Sequence, residues 1–209
     1  MSTLASDSFT RADSGTLGAN WTNVTGFGAT WSIVSNQANT PGSASFHAAA
    51  YTGISWTGVN DQWAQTTVVA QTSGSDGGPS VRSATSAQTF YFFDINDADT
   101  TALGSSMSCS IHKCVAGSFS AVGAAVSLTI NANDVLYIEV QGTSLLAKVN
   151  GTTQISGRTD SSIASGSAGL AWWSGSSNAV KADDWSAGDF AGAGGSPAAM
   201  STLTMLGVQ

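Results

Sequence analysis

Glutamate is almost missing from this chain: Glu139 is the only one among 209 residues. Acid–base work by a carboxyl pair needs one protonated and one ionised group about 5–9 Å apart. The stretch VLYIEVQGTSLLAKVNG (135–151) around Glu139 holds no second acid. Basic residues are few as well. Arg11, Arg82, Lys113, Lys148, Arg158 and Lys181 are the full set, they are scattered, and the formal net charge is −7. That excludes the cluster of phosphate-neutralising cations that nucleic-acid binding requires. Charged residues make up 9% of the chain, against about 25% in an average soluble protein. Gly, Ser, Thr and Ala take their place, giving the neutral, hydroxyl-rich surface typical of extracellular β-proteins. No apolar run approaches the ~18 residues of a membrane-spanning helix. The opening MSTLASDSFTRADSG lacks a basic n-region and an apolar h-region, so no secretory signal is expected there.

Cysteine and histidine are limited to two each. Cys109 and Cys114 lie in MSCSIHKCV. In an extended strand they stand roughly 16 Å apart at ~3.3 Å per residue, well beyond the ~7 Å limit between Cα atoms for a disulfide. Two free thiols follow. Cys109, His112 and Cys114 have zinc-ligand chemistry, but the strand splits them between two faces and no fourth ligand is in sight. His47 and His112 have no G-x-S-x-G elbow to serve, which argues against a serine nucleophile. GTLGAN and GSDGGPS lack the Lys and the following helix of a phosphate loop.

What is present is short alternation of apolar and polar residues, broken by Gly, Ser, Asn and Asp, with no helical period. Strands are expected at 63–72, 79–84, 88–95, 107–115, 125–130, 135–141, 145–150, 168–173 and 180–190, with three more in SDSFT, ATWSIVSN and SASFHAAAY. The small residues of 117–124 suit a bend or bulge. About a dozen short strands indicate a two-sheet sandwich or jelly roll. A two-residue turn at Gly142–Thr143 sets a register of Leu136 with Val149, Ile138 with Ala147 and Val140 with Leu145. Glu139 then lies opposite Leu146 and diagonal to Lys148, close enough for a cross-strand ion pair. This accounts for Glu139 without catalysis. Asn150–Gly151 supplies the next turn. Beyond Phe190, AGAGGSPAAMSTLTMLGVQ begins as a flexible linker and ends apolar at Leu203, Met205, Leu206 and Val208. Either the fold packs this tail or it is an arm that docks on a neighbour.

The order of motifs resembles concanavalin A-like lectin/glucanase (laminin G-like) domains. The residues that carry the resemblance are Asp7–Phe9, Gly18–Trp21 and Trp31–Ala38 near the start, PSVRSA, QTFYFFDI and NDVLYIEVQGTSLLAKVNG in the centre, and SGSAGLAW followed by ADDWSAGDF near the end. The resemblance covers residues 7–190. It implies two antiparallel sheets packed face to face, with a concave side that often binds glycans. Glucanases of this fold use an E-x-D-x-x-E strand, which IEVQGT does not match. Phe9 and Trp185 have the flanking pattern of core residues, and pairing the two ends of the domain would remove an exposed edge.

Metal and ligand candidates follow. The acidic run DINDAD, with Asp94, Asn96, Asp97 and Asp99, has calcium-binding composition but fails the EF-hand pattern, and a polar turn is the favoured reading. By resemblance, Asp7 and Asp183 match a calcium place between first and last strands. No cofactor is firmly expected beyond that calcium candidate. Trp56, Trp63, Arg82, Tyr91 and Trp172 are the expected glycan-binding side chains, through ring stacking and a guanidinium that reads hydroxyls. Trp172 and Trp173 must face opposite sides of their strand, so at most one is in the core. Asn20, Asn23 and Asn150 open N-x-Thr sequons, expected by chance in so Thr-rich a chain.

The fold expected is an all-β, two-sheet antiparallel jelly-roll sandwich over residues 1–190, with a linker and C-terminal arm over 191–209. The function expected is that of a non-enzymatic virion surface protein, a bacteriophage capsid decoration or tail-associated protein, structural and adhesive to host glycans. Its partners would be other virion proteins or itself as a homo-oligomer, with glycans as candidate ligands and neither nucleic acid nor membrane insertion. An outside-type surface without an export signal motivates that location, since virions leave by lysis. The alternative is an extracellular microbial carbohydrate-binding module or lectin-like domain of a glycoside hydrolase.

Overall fold

The computed structural model describes residues 1–27, 30–40, 44–97, 101–176 and 179–190. Among them every regular element is a strand, and all pairings are antiparallel. Sheet A runs in the order β14 (Thr152–Thr159), β13 (Ser144–Val149), β12 (Asp134–Gln141), β6 (Gln62–Gln71), β16 (Val180–Asp189), β4 (Gln37–Asn39) and β3 (Ser32–Val34), with β1 (Ser2–Asp7) also on β16. Sheet B runs β10 (Ser118–Ala121), β9 (Ser106–Val115), β8 (Thr89–Ile95), β7 (Asp76–Ala84), β15 (Ser167–Ser174), β5 (Ser45–Tyr51) and β2 (Trp21–Asn23), with β11 (Val126–Thr129) also on β9. The expected two-sheet sandwich is what forms.

Period-two alternation sorts each strand between two faces. On β12, Leu136, Ile138 and Val140 enter the core; on β8, Tyr91, Phe93 and Ile95; on β9, Met107, Cys109 and Ile111; on β15, Ala168, Leu170 and Trp172. Their opposite neighbours on sheet B form a second, smaller cluster of Phe46, Ala48, Phe90, Phe92, Cys114 and Ala171. Sheet B is thus apolar on both faces.

The β12–β13 register is the one read from the sequence, Leu136 with Val149 through Val140 with Leu145, with Gly142 in the left-handed region at φ 56° as its turn requires. The two ends of the domain pair as expected: Asp7 stands opposite Trp185 in the β1–β16 ladder, and Phe9 and Trp185 are buried. Trp21 packs on Trp185 at 4.8 Å between ring centroids, and Tyr51 at 5.1 Å. Five strands differ from expectation, two of them β2 and β4, which fall outside the strand ranges read from alternation. β1 begins at Ser2, β10 occupies part of the supposed bend at 117–124, and β14 was not anticipated. β10 is exposed at all four positions, and β14 buries only Ile155. With almost no apolar face, neither strand shows alternation in the sequence.

Candidate functional site

The outward face of sheet B carries an open cleft of about 620 Å³. Phe46 from β5, Trp173 from β15, Phe92 from β8 and Phe119 from β10 line it, with Phe27 from the loop after β2. Phe46 is the hub. Its ring centroid lies 4.9 Å from Phe27, 4.8 Å from Phe119 and 5.8 Å from Phe92. Phe119 is 44% exposed, so a large apolar ring meets water at the rim. Asp76, Asp97 and His112 bring charge to the same lining.

His112 is held by carboxylates on both sides. Its Nδ1 is 2.7 Å from Asp94 Oδ2 and its Nε2 is 3.5 Å from Asp97 Oδ1. The strands build this locally. Phe92 pairs with His112 across the β8–β9 ladder, so Asp94, two residues on, projects from the same face one step along. Asn96 then adopts φ 69°, a left-handed conformation that Asn tolerates. Its amide donates to the Ser75 and Thr101 carbonyls, and its oxygen accepts from Thr101. The turn so fixed returns Asp97 to the cleft, where Ser110 Oγ donates to it at 3.1 Å. Burial opposes a charge on His112, but the hydrogen bond to Asp94 and the fields of Asp94 and Asp97 outweigh it and raise its pKa. Among the described residues, this is the one group of His, Cys, Asp or Glu with metal-ligand spacing, its donor atoms all within 4.8 Å of one another. Its mixed imidazole and carboxylate donors suit a transition metal better than calcium, and any ion must compete with the imidazole's proton.

The five side chains expected to bind glycans lie outside this cleft, and the burial of Tyr91 and Trp172 in the core corrects the expectation for those two. Tyr91 and Trp172 are fully buried in the core, and Arg82, Trp63 and Trp56 are 3%, 5% and 7% exposed. Tyr91 donates its hydroxyl to Asp160 and accepts from the Ile163 amide. Trp172 Nε1 donates to Gln71. Arg82 sits in a bulge at φ 52° and gives its guanidinium to the carbonyls of Asn60, Ile163 and Gly142, tying three loops rather than reading hydroxyls. Trp63 stacks on Tyr137 on the outward face of sheet A, 5.9 Å between centroids. Trp56 donates to the Tyr51 carbonyl and borders a second, polar cleft of about 510 Å³ with Asn60, Ser165 and Ser167. Tyr91 and Trp172 lie inside because their strands turn them into the core between the sheets, whereas Trp63 is covered by Tyr137 and Trp56 sits in the loop before β6. Of the tryptophans flagged as a pair, Trp172 takes the core and Trp173 the cleft.

Asp7 is no better placed as a calcium ligand. Arg11 donates to both its oxygens at 2.7 and 2.9 Å, Trp21 Nε1 to one and the Phe9 amide to the other. Four donors fill the roughly four lone-pair sites of a carboxylate. Burial alone would raise the Asp7 pKa, and these donors together bring it below the usual range. Asp183 has its pKa raised by burial, with the charges of Asp184 and Asp7 adding to the rise. Cys109 and Cys114 are free and buried on opposite faces of β9, their thiols pushed up to about 11 by burial. The zinc arrangement is therefore split, as the strand geometry required. Asp99 and the arm residues Leu203, Met205, Leu206 and Val208 lie outside the described residues.

Glu139 stands on the opposite side of the sandwich from the aromatic cleft. Tyr137 donates to it at 2.7 Å, Gln141 at 3.0 Å and Lys148 at 3.2 Å. The shallow hollow beside it is lined by Gln141, Ser144, Leu145, Leu146 and Gly157, with no second acid.

No family model and no curated protein matches this sequence. Solved structures do. A carbohydrate binding module, CBM66 from Bacillus subtilis, aligns over 79% of this chain and 92% of its own, with a TM-score of 0.56 and 18% identity. The fold is a concanavalin A-like jelly roll. A prokaryotic beta-1,3-1,4-glucanase (lichenase) from a mouse hindgut metagenome covers 88% of this chain and 98% of its own at TM-score 0.54 and 10% identity. The potassium-bound carbohydrate recognition domain of Emp46p covers 81% and 88% at TM-score 0.50 and 9% identity. At these identities the jelly roll is what is shared.

Proposed function

We propose that this chain is a non-catalytic, lectin-like glycan-binding module whose ligand lies in the aromatic cleft of sheet B. The observation that carries the proposal is five aromatic rings gathered beside Asp76, Asp97 and His112 in one open cleft. Ring faces take the C–H faces of sugars, and a few placed polar groups orient the hydroxyls. A neutral surface and similarity to jelly rolls that bind carbohydrate agree with this reading.

Geometry favours binding over hydrolysis. Asp94 and Asp97 are close enough to suggest a carboxyl pair, but the His112 ring bridges them where a glycosidic bond would have to sit. The Asp94 side chain is 1% exposed. His112 Nε2 faces a carboxylate instead of a serine, so a nucleophile–base pair is not assembled there. Glu139 has Lys148 and two neutral donors as partners, and no acid. A virion-surface adhesin would use the same cleft, but its assembly arm lies outside the described residues and no observation favours that location.

The test is a glycan array probed with the full chain, followed by titration of each hit. Binding is expected, weakened at least tenfold by Phe119→Ala and by Trp173→Ala, with no release of reducing ends. An array without hits, or binding indifferent to both substitutions, defeats the proposal. Sugar turnover abolished by Glu139→Gln or Asp97→Asn makes the protein an enzyme instead.

A further inference from the structure

The aromatic cleft is more acidic than a neutral sugar needs. Asp76 and Asp97 line it and Asp94 stands behind His112, while neither Lys nor Arg is among its lining residues. Three carboxyl groups beside a single imidazole, with no Lys or Arg in the lining, make the site acidic in composition. A ring that turns its face to the cleft adds to the same sign. Aromatic faces carry negative quadrupole potential and attract cations within about 6 Å, and Phe27, Phe46, Phe92 and Phe119 are packed with centroids 4.8–6.1 Å apart. Low-dielectric walls lined by one sign of charge focus that potential on whatever enters.

We infer that the ligand of this cleft is a cationic glycan, an oligomer of hexosamine units with free amino groups. The inference rests on the glycan-binding reading and names its substrate class. The pyranose rings stack on Phe119 and Trp173 at the rim. The ammonium group donates to Asp97, whose side chain is 25% exposed and whose oxygens have lone pairs left beyond the bonds from Ser110 and His112. Asp76, in the same lining, adds a second carboxyl group to the acidic wall. An N-acetylated or neutral sugar forgoes both charge-assisted contacts.

The experiment is titration calorimetry of the full chain near pH 6 with a fully deacetylated glucosamine hexamer, its fully N-acetylated counterpart and a neutral glucan hexamer. The deacetylated hexamer is expected to bind at least tenfold tighter than either control, with the preference shrinking in 0.5 M salt as screening lengths fall to a few ångströms. Asp76→Asn and Asp97→Asn should each weaken the deacetylated ligand several-fold more than they weaken either control. Phe119→Ala, at an exposed rim position, should weaken all that bind. Should Asp97→Asn fail to fold because His112 loses a partner, Asp76→Asn and the salt series still decide. Equal affinity for all three hexamers, binding of the controls alone, or binding that appears only on adding calcium overturns the inference and leaves a glycan module standing. No binding of any of the three, with an empty array, overturns the underlying reading as well.

Discussion

Tyr91 on β8 and Lys113 on β9 are paired across sheet B, and both reach Asp160, which follows β14 of sheet A. One carboxylate therefore ties the two sheets. Burial pushes the Tyr91 hydroxyl up to about 12, with the hydrogen bond to Asp160 adding to it. For Asp160 burial acts upward too, but donors from Lys113, Tyr91 and Ser162 outweigh it and hold the carboxyl well below its ordinary 3.8. A depressed carboxylate stabilises the fold in full above its unfolded value and loses that contribution as pH falls through the folded one. The raised Tyr91 contributes fully below about pH 10 and loses it as pH climbs toward 12. Asp160→Asn should cost about 1–3 kcal/mol at neutral pH and flatten the acid limb of a stability–pH curve measured by urea unfolding. An unchanged acid limb would remove Asp160 as its cause. Arg82 makes a similar case, since its removal leaves three carbonyls facing inward without a donor. Arg82→Ala should cost about 3 kcal/mol or more, seen as a fall in urea midpoint with an unchanged slope. Neither role was legible in the sequence. Arg82 and Tyr91 were read as ligand contacts because residue type reveals chemistry but not the side of a sheet.

At the scale of elements, the β12–β13 hairpin was fully legible. Gly142 and the alternation on either side fix its register within ~15 residues, and a one-residue slip would turn every core side chain outward. The Glu139–Lys148 contact followed from the same register, at 3.2 Å. β14 and β10 were not legible, because edge strands with polar faces show no period. β1 depends on a close approach that no pattern announces. A Cβ on Gly188 would lie 1.8 Å from the Ser2 carbonyl oxygen, a contact no side chain can occupy without moving that strand. Gly188→Ala should therefore displace β1 from β16 while the rest of the sheet persists. Hydrogen exchange should show lost protection over residues 2–7 and retained protection in β6 and β12. Uniform protection across both would mean that the backbone yields elsewhere.

At the scale of the whole molecule, the described residues form two sheets sharing one core, closed where the first and last strands meet in the β1–β16 ladder. Long-range pairing of this kind leaves little that can unfold alone. Thermal unfolding followed by far-ultraviolet circular dichroism and by tryptophan emission should give coincident midpoints, whereas a separation of several degrees would show the sheets melting independently. The sequence by itself determined the fold class, the hairpin register, the two free thiols and the shortage of paired carboxyls around Glu139, because each rests on composition or on spacing along one strand. Only the tertiary structure decided which face of sheet B is open to solvent. Trp173 rather than Trp172 meets the cleft, and Asp94 and Asp97 converge there with His112 of the next strand. Those outcomes depend on which strands become neighbours, and neighbours in a sheet are chosen by the packing of the whole core.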